Sequence, residues 1–176
     1  ITGGSYQVYY SFTMVEPYLS KSVMFENDSL SIDFSLSKEG ISFFMSNKTE
    51  EQIQILWNKT SYIDIYGSSN RVLPSGVRYI NKNKSLQPTN IPPRSNTEKS
   101  LIPSDNITYI GDEWVESSLF PNYRTFGNYE DESDTNDVEN YTGEKFGLFL
   151  PVMIGDEKKE YRFVFKIEDD FINTSE

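Results

Sequence analysis

An alternation of apolar and polar residues is the feature that most constrains how this chain can fold. In residues 30–37, four apolar side chains alternate with four polar ones. A period of two places the apolar side chains together on one face of a β-strand. Residues 161–167 repeat the alternation, and turn-forming residues separate several shorter apolar runs between these two segments. The predicted strands are residues 30–37, 41–46, 53–57, 61–66, 71–73, 76–80, 146–154 and 161–167.

The composition supports a β-rich chain with a substantial core. The 176 residues include no Ala, which is the strongest helix former, whereas Tyr and Phe, which are common in strands, occur 12 times each. A chain of this length is expected to form a single domain, residues 1–176. Aromatic residues make up 15% of the sequence, which is not the composition of a disordered chain.

Short strands with turn signals between them predict an antiparallel, immunoglobulin-like β-sandwich. We expect strands over residues 6–80 and 146–168, with a C-terminal hairpin in which Pro151 marks a bulge or an edge position. The stretch of about 81–144 is predicted to be a long irregular insertion. Charge is segregated around it, since residues 71–99 carry 6 basic side chains against 1 acidic one, and residues 112–144 carry 10 acidic side chains against 1 basic one.

Several classes of function are excluded by the residues that the chain lacks. Without Cys or His there is no thiol nucleophile, no imidazole base and no ordinary zinc site. A net charge of −11 argues against binding to nucleic acid. The acidic residues 130–137 lack the spacing and the glycine of a calcium loop, and no two carboxylates are singled out as a catalytic pair. We therefore expect no catalytic residue, no metal and no cofactor.

Residues 41–103 have a recognisable order of motifs. An apolar strand is followed by an Asn-Lys-Thr turn, an Ile-x-Ile-Leu-Trp strand, Tyr-Ile-Asp-x-x-Gly, a basic strand, Ile-Pro-Pro-x-Ser and Leu-Ile-Pro. This order resembles the immunoglobulin-like β-sandwich domains of uncharacterised bacterial lipoproteins and secreted envelope proteins. The resemblance covers about a third of the chain and implies a strand near residues 99–103. It also implies export to the bacterial cell envelope, periplasmic or on the surface, and a lipid anchor on a Cys upstream of Ile1 as the link to the membrane.

The first residues, Ile-Thr-Gly-Gly, include no initiating Met, and we interpret the sequence as a processed product. Seven Asn-x-Ser/Thr sequences occur, and in a chain so rich in Asn and Ser we attribute them to composition and not to glycosylation. These sites are Asn27, Asn47, Asn58, Asn83, Asn106, Asn140 and Asn173.

The aromatic residues supply the candidate binding site. Trp114 lies in a loop-like segment beside Glu113, and an exposed ring next to a carboxylate can stack on a sugar and hydrogen-bond to its hydroxyls. Tyr109, Tyr123 and Tyr129 could extend such a surface, as could Tyr62 and Tyr66. The alternative for each tryptophan is a place in the core, and for Trp57 burial between sheets is the favoured interpretation.

Together these features predict a non-catalytic exported envelope domain that acts as a structural or protein-interaction module. The alternative is a carbohydrate-binding protein that uses exposed Trp and Tyr side chains. The expected partner is an envelope protein or a polysaccharide, and not a nucleic acid.

Overall fold

The computed structural model describes residues 5–119, 123–125 and 141–174, and within them the chain is all-β. Helical structure in these residues is limited to three single 3₁₀ turns, at Trp57–Lys59, Tyr79–Asn81 and Ser104–Asn106. The strands are β1 (Ser5–Glu16), β2 (Met24–Glu26), β3 (Leu30–Leu36), β4 (Ile41–Asn47), β5 (Ile53–Ile55), β6 (Ser61–Ile63), β7 (Ser69–Pro74), β8 (Thr89–Ile91), β9 (Asn96–Pro103), β10 (Ile107–Ile110), β11 (Glu113–Glu116), β12 (Tyr123–Thr125), β13 (Lys145–Ile154) and β14 (Glu157–Thr174).

Twelve of these strands form one antiparallel sheet, and β10 and β11 form a separate hairpin. The main sheet has the order β12-β1-β14-β13-β6-β7-β9-β4-β3-β2, and β5 pairs with both β13 and β8. The all-β, antiparallel class predicted from the sequence is confirmed.

The sheet bends back so that its two distant parts pack face to face. The Phe34 ring on β3 lies 4.9 Å from the Phe163 ring and 5.0 Å from the Phe165 ring, both on β14. Phe25 on β2 meets Phe163 at 5.2 Å. All four side chains are buried, and their edge-to-face geometry is the arrangement that aromatic rings prefer. These contacts place the core between the β2–β3–β4 part of the sheet and the β13–β14 part.

The strongest alternating segments form strands as predicted. Residues 30–37 correspond to β3, in which Leu30, Ile32 and Phe34 are buried and Leu36 is partly buried, and residues 41–46 lie within β4. The predicted C-terminal hairpin is also present, because β13 pairs with β14 through a turn in which Gly155 has a φ of +56°.

Pro151 is neither at an edge nor in a bulge, so that prediction was wrong. It lies inside β13, in regular register opposite Glu160. On the other side of β13 the neighbouring strand changes at this point, with β6 pairing as far as Phe149 and β5 starting at Val152. Because proline has no N–H to donate, this gap between two partner strands accommodates it without losing a ladder hydrogen bond.

The stretch of about 81–144 is not irregular where the structure describes it, because it contains β8, β9, β10, β11 and β12. Strand β9 even lies in the middle of the sheet, between β4 and β7. Its register places Thr97 and Lys99 on the face that carries the buried Leu101. The strand expected near residues 99–103 is therefore present as part of β9, and the polar residues at inward positions hide the alternation over its first half. The acidic residues 130–137 lie outside the described residues.

The predicted strand over residues 76–80 is also wrong. Gly76 adopts a φ of +92° in a turn closed by the Val77 N–H, which donates to the Pro74 carbonyl at 3.3 Å. The chain then forms the 3₁₀ turn Tyr79–Asn81, which leaves Ile80 exposed. An alternation of apolar and polar residues this short does not distinguish a strand from a turn whose side chains are exposed to solvent.

Asn47 is a buried polar residue that joins three segments of chain. Its Nδ2 donates to the carbonyls of Glu51, Ile91 and Pro92 at 2.8–3.1 Å, and its Oδ1 accepts from the Thr49 backbone and hydroxyl. An amide engaged in this way serves the fold, and attachment of a glycan to its nitrogen would break the network. The interpretation of this site as compositional is therefore supported at Asn47.

The neighbouring residues Phe43 and Phe44 on β4 provide a matched test of the core. Phe43 is buried and Phe44 is exposed. We expect Phe43→Ala to lower the free energy of unfolding by about 3–5 kcal/mol, because it leaves a cavity between the packed faces. Phe44→Ala is the control and should cost less than about 1 kcal/mol. Urea unfolding followed by fluorescence measures both, and equal losses would contradict the assignment of the inner face.

Candidate functional site

The β10–β11 hairpin projects from the main sheet as a two-stranded unit of its own. Tyr109 pairs with Trp114, and Ile110 pairs with Glu113 across the turn. Gly111 has a φ of +64° at the first central position of this turn, where the tight type II′ hairpin turn requires glycine. Ile107 is buried at the base of the hairpin, whereas every residue from Thr108 to Glu116 is exposed.

One face of the hairpin is aromatic. The rings of Tyr109 and Trp114 lie 5.1 Å apart at an interplanar angle of 53°, and Tyr79 meets Trp114 edge-on at 6.1 Å and 74°. Trp114 keeps 38% of its surface exposed and Tyr109 keeps 58%. We call Tyr79, Tyr109 and Trp114 the aromatic face. Its rings are tilted against one another and do not form a flat platform.

The other face of the hairpin carries two exposed apolar side chains. Side chains alternate along a strand, so Ile110 and Val115 point away from the Tyr109–Trp114 pair. Ile110 is 63% exposed, and Val115 is exposed as well. A two-stranded hairpin that buries neither face against its own sheet is marginally stable in water. The hairpin is therefore held largely by its attachment at the base.

Two basic side chains form that attachment. Lys82 donates from Nζ to the carbonyl of Ser104 at 3.1 Å and also to the carbonyl of Ile107. Arg71 on β7 in turn donates from Nε to the Lys82 carbonyl at 3.1 Å and from its terminal nitrogen to the Lys84 carbonyl. This chain of hydrogen bonds places the Tyr79–Asn81 turn beside the hairpin. Two of the six basic side chains in residues 71–99 thus have a structural role.

The hairpin carries an acidic rim. Asp105, Asp112, Glu113 and Glu116 are all exposed, and none of them forms an ion pair within the described ranges 5–119, 123–125 and 141–174. Apolar side chains surrounded by unpaired carboxylates are suited to contact a surface that is apolar at its centre and basic around it.

Of the predicted site residues, the structure brings together Trp114 and Tyr109. Glu113 pairs with Ile110 and lies on the opposite face of the hairpin. Tyr123 lies in β12, which pairs with β1 at an edge of the main sheet and not with the hairpin. Tyr129 lies outside the described residues. The sequence interpretation missed Tyr79 and Ile80, although an apolar pair after a Gly turn was visible there.

Trp57 occupies the core, as favoured from the sequence. It is 2% exposed, and its indole Nε1 donates to the Thr89 hydroxyl at 2.8 Å. Tyr62 is buried too, whereas Tyr66 is exposed. Neither Trp57 nor Tyr62 can therefore extend an aromatic binding surface.

Comparison with known proteins gave no match: no family model fits the chain, and no curated protein or solved structure is significantly similar to it. No helix among the described residues is long and apolar enough to cross a membrane. In the same part of the chain, no group of three or more Asp and Glu residues is arranged to hold a metal ion. The functional interpretation is therefore based on the chemistry of the exposed side chains.

The two tryptophans give a direct test of this geometry. With Trp57→Phe, the remaining Trp114 is expected to be quenched readily by acrylamide, because its ring is exposed. With Trp114→Phe, the remaining Trp57 should be strongly protected and its emission shifted to the blue. Circular dichroism confirms that each variant is folded, and similar quenching constants in the two variants would contradict the placement of the hairpin.

Because of Tyr62, the free energy of unfolding is expected to vary with pH in the alkaline range. Burial, and secondly the negative charge of Asp64, raise the pKa of the Tyr62 phenol. The folded state therefore holds this proton more tightly than the unfolded state, in which the pKa is about 10. The resulting contribution to stability is complete below about pH 10 and falls as the pH rises further, by up to about 1.4 kcal/mol per pH unit.

We therefore expect Tyr62→Phe to unfold with a weaker pH dependence than the unmodified protein above about pH 10. Tyr66→Phe, at an exposed tyrosine, is the matched control and should keep the original dependence. Urea unfolding at several pH values measures the slopes. Parallel slopes for the Tyr62 variant and the unmodified protein would exclude this role of Tyr62.

Proposed function

We propose that this chain is a non-catalytic interaction module that binds a protein partner through the β10–β11 hairpin. The observation that carries the proposal is the exposure of apolar side chains on both faces of one projecting element. Exposed apolar patches of this kind are typical of interaction surfaces. Trp and Tyr are also the residue types that contribute most to binding energy at protein interfaces.

The geometry favours a protein over a sugar at the hairpin. A sugar ring stacks on a flat aromatic surface, whereas Tyr109 and Trp114 are tilted by 53° and Tyr79 stands edge-on to Trp114. Ile110 and Val115 on the opposite face offer a sugar no hydrogen bonds, but they fit between apolar side chains of a protein. The acidic rim adds a preference for a partner with Lys or Arg around its apolar centre.

The cellular setting is part of the same proposal. We propose an exported domain of the bacterial envelope, derived from a lipoprotein, with an immunoglobulin-like sandwich as its architecture. The absence of Cys from the sequence suits an oxidising compartment, in which unpaired thiols are a liability. The buried Trp57 is a feature that such sandwiches share.

A photo-crosslinking experiment tests the hairpin contact. The crosslinker p-benzoylphenylalanine is placed at Ile110 in the full chain, and at Phe44 in a control, and each protein is irradiated in an envelope extract of its source. We expect one discrete protein adduct from position 110 that is absent from position 44. Adding Glu113→Lys and Glu116→Lys should reduce that adduct several-fold, because it reverses charges in the acidic rim.

Two results would contradict this proposal. The first is the same adduct pattern from both positions, which would indicate non-specific contact. The second is no adduct at position 110 together with protection of Trp114 from acrylamide by neutral oligosaccharides. The latter result would instead support the carbohydrate-binding alternative based on Trp114, Tyr109 and Glu113.

A further inference from the structure

A second surface feature, separate from the exposed faces of the hairpin, is a polar groove of about 240 Å³. It lies between the turn that follows β6 and the base of the β10–β11 hairpin. Its lining carries hydroxyl, amide and carboxylate groups, and no Lys or Arg is among the lining residues that the structure describes. The residues that line it include Tyr62, Asp64, Tyr66, Asn70, Asn106 and Ser117, and we call this set the polar groove.

The first wall of the groove is the turn that follows β6, and its hydrogen-bond donors are already engaged within the protein. Asp64 Oδ1 accepts the backbone N–H groups of Tyr66 at 3.0 Å and Ser68 at 2.8 Å. Asn70 Nδ2 donates to the Ser68 carbonyl at 3.0 Å and makes only a long contact of 3.5 Å with Asp64 Oδ2. Asn70 Oδ1 accepts from no described residue. This wall therefore offers two acceptor oxygens, Asn70 Oδ1 and Asp64 Oδ2.

The second wall repeats this arrangement with different residues. Asn106 Nδ2 donates to the Ser117 carbonyl at 3.2 Å, and the Ser117 hydroxyl donates to the Asn106 carbonyl at 3.2 Å. The backbone N–H of Ser117 reaches the same carbonyl at 2.7 Å. Asn106 Oδ1 is left without a donor among the residues that the structure describes. Residues with unpaired acceptor oxygens thus line the groove from two segments that are far apart in sequence.

The chemistry of the lining selects the class of ligand. A ligand with several hydroxyl groups can donate hydrogen bonds to several acceptor oxygens that have no donor within the protein. An anion is disfavoured, because the described lining residues include a carboxylate and no cationic side chain. A cation is disfavoured as well, because Asp64 is the one carboxylate among the described lining residues and its Oδ1 is already engaged by two backbone N–H groups.

An exposed ring stands at the edge of this acceptor-rich groove. Tyr66 is 85% exposed at the tip of the Asp64 turn, and its backbone is fixed by the bond to Asp64 Oδ1. A ring carried on this fixed backbone can cover the apolar C–H face of a sugar while the amide oxygens accept from its hydroxyls. We propose that the polar groove binds a neutral carbohydrate, through one sugar residue at the end of a glycan.

This site differs from the carbohydrate surface expected from the sequence, which was centred on Trp114. It uses none of the residues of the aromatic face, and neither tryptophan lines it. Binding in the groove and binding of a protein to the hairpin can therefore be tested separately.

Isothermal titration calorimetry of the full chain tests the proposal with a defined panel of neutral trisaccharides at millimolar concentration. The panel consists of maltotriose, cellotriose, mannotriose and N,N′,N″-triacetylchitotriose, and trigalacturonic acid serves as an anionic control. We expect at least one neutral member to bind, and the anionic one to bind more weakly because Asp64 repels it.

The matched variants are Tyr66→Ala and Tyr109→Ala, which each remove an exposed tyrosine. Tyr66→Ala should weaken binding of the sugar about tenfold, since it removes the stacking ring but not the backbone bonds of the turn. Tyr109→Ala should leave the affinity unchanged. Urea unfolding of both variants shows whether any loss of binding comes from a loss of fold.

A second measurement locates the ligand. In ¹⁵N-correlated NMR spectra, the side-chain amide signals of Asn70 and Asn106 are expected to shift on addition of the sugar that binds. The buried amide of Asn47 serves as the internal control and should not move. The proposal is overturned if no neutral member binds, or if binding is lost in Tyr109→Ala and kept in Tyr66→Ala.

Discussion

The packing of Phe34 against Phe163 and Phe165 is the contact on which the rest of the structure depends. In a single sheet of twelve strands, the apolar face is continuous from strand to strand. This face forms a core only where strands that are far apart in the sheet pack against each other. Phe34 on β3 and the two rings on β14 are separated by most of the sequence, yet their centroids lie about 5 Å apart. Once this contact forms, the apolar face of every strand between them has somewhere to be buried.

This arrangement also explains why the hairpin is free for another role. The main sheet runs without interruption from β7 to β9 and β4, so it does not need β10 and β11 to complete its core. Only Ile107 at the base of the hairpin is buried, and the Arg71–Lys82 hydrogen bonds supply the remaining attachment. A segment that contributes little to the core can carry exposed apolar residues at a low cost in stability, provided that a partner keeps them from water.

The extent to which the sequence predicts this structure depends on where each strand keeps its polar residues. Strand β3 could be predicted because every inward residue is apolar. Only residues 99–103 of β9 were expected, because Thr97 and Lys99 at inward positions interrupt its apolar alternation. Trp114 and Tyr109 could be proposed as site residues because only a short turn separates them. The walls of the polar groove could not be predicted, because Asn70 and Asn106 approach each other only after the sheet has formed.

Asparagine has a distinct role in a chain of this composition. Asn47, Asn58 and Asn106 each donate from Nδ2 to a backbone carbonyl outside the regular strands. Loops between short strands leave many backbone carbonyls without a hydrogen-bond donor. A short amide side chain can donate to these carbonyls without adding a charge. An amide that donates in this way still has an acceptor oxygen. At Asn47 that oxygen is used by Thr49 inside the protein, whereas at Asn106 it remains available at the surface of a groove, which is how residues that stabilise loops can also come to form a binding site.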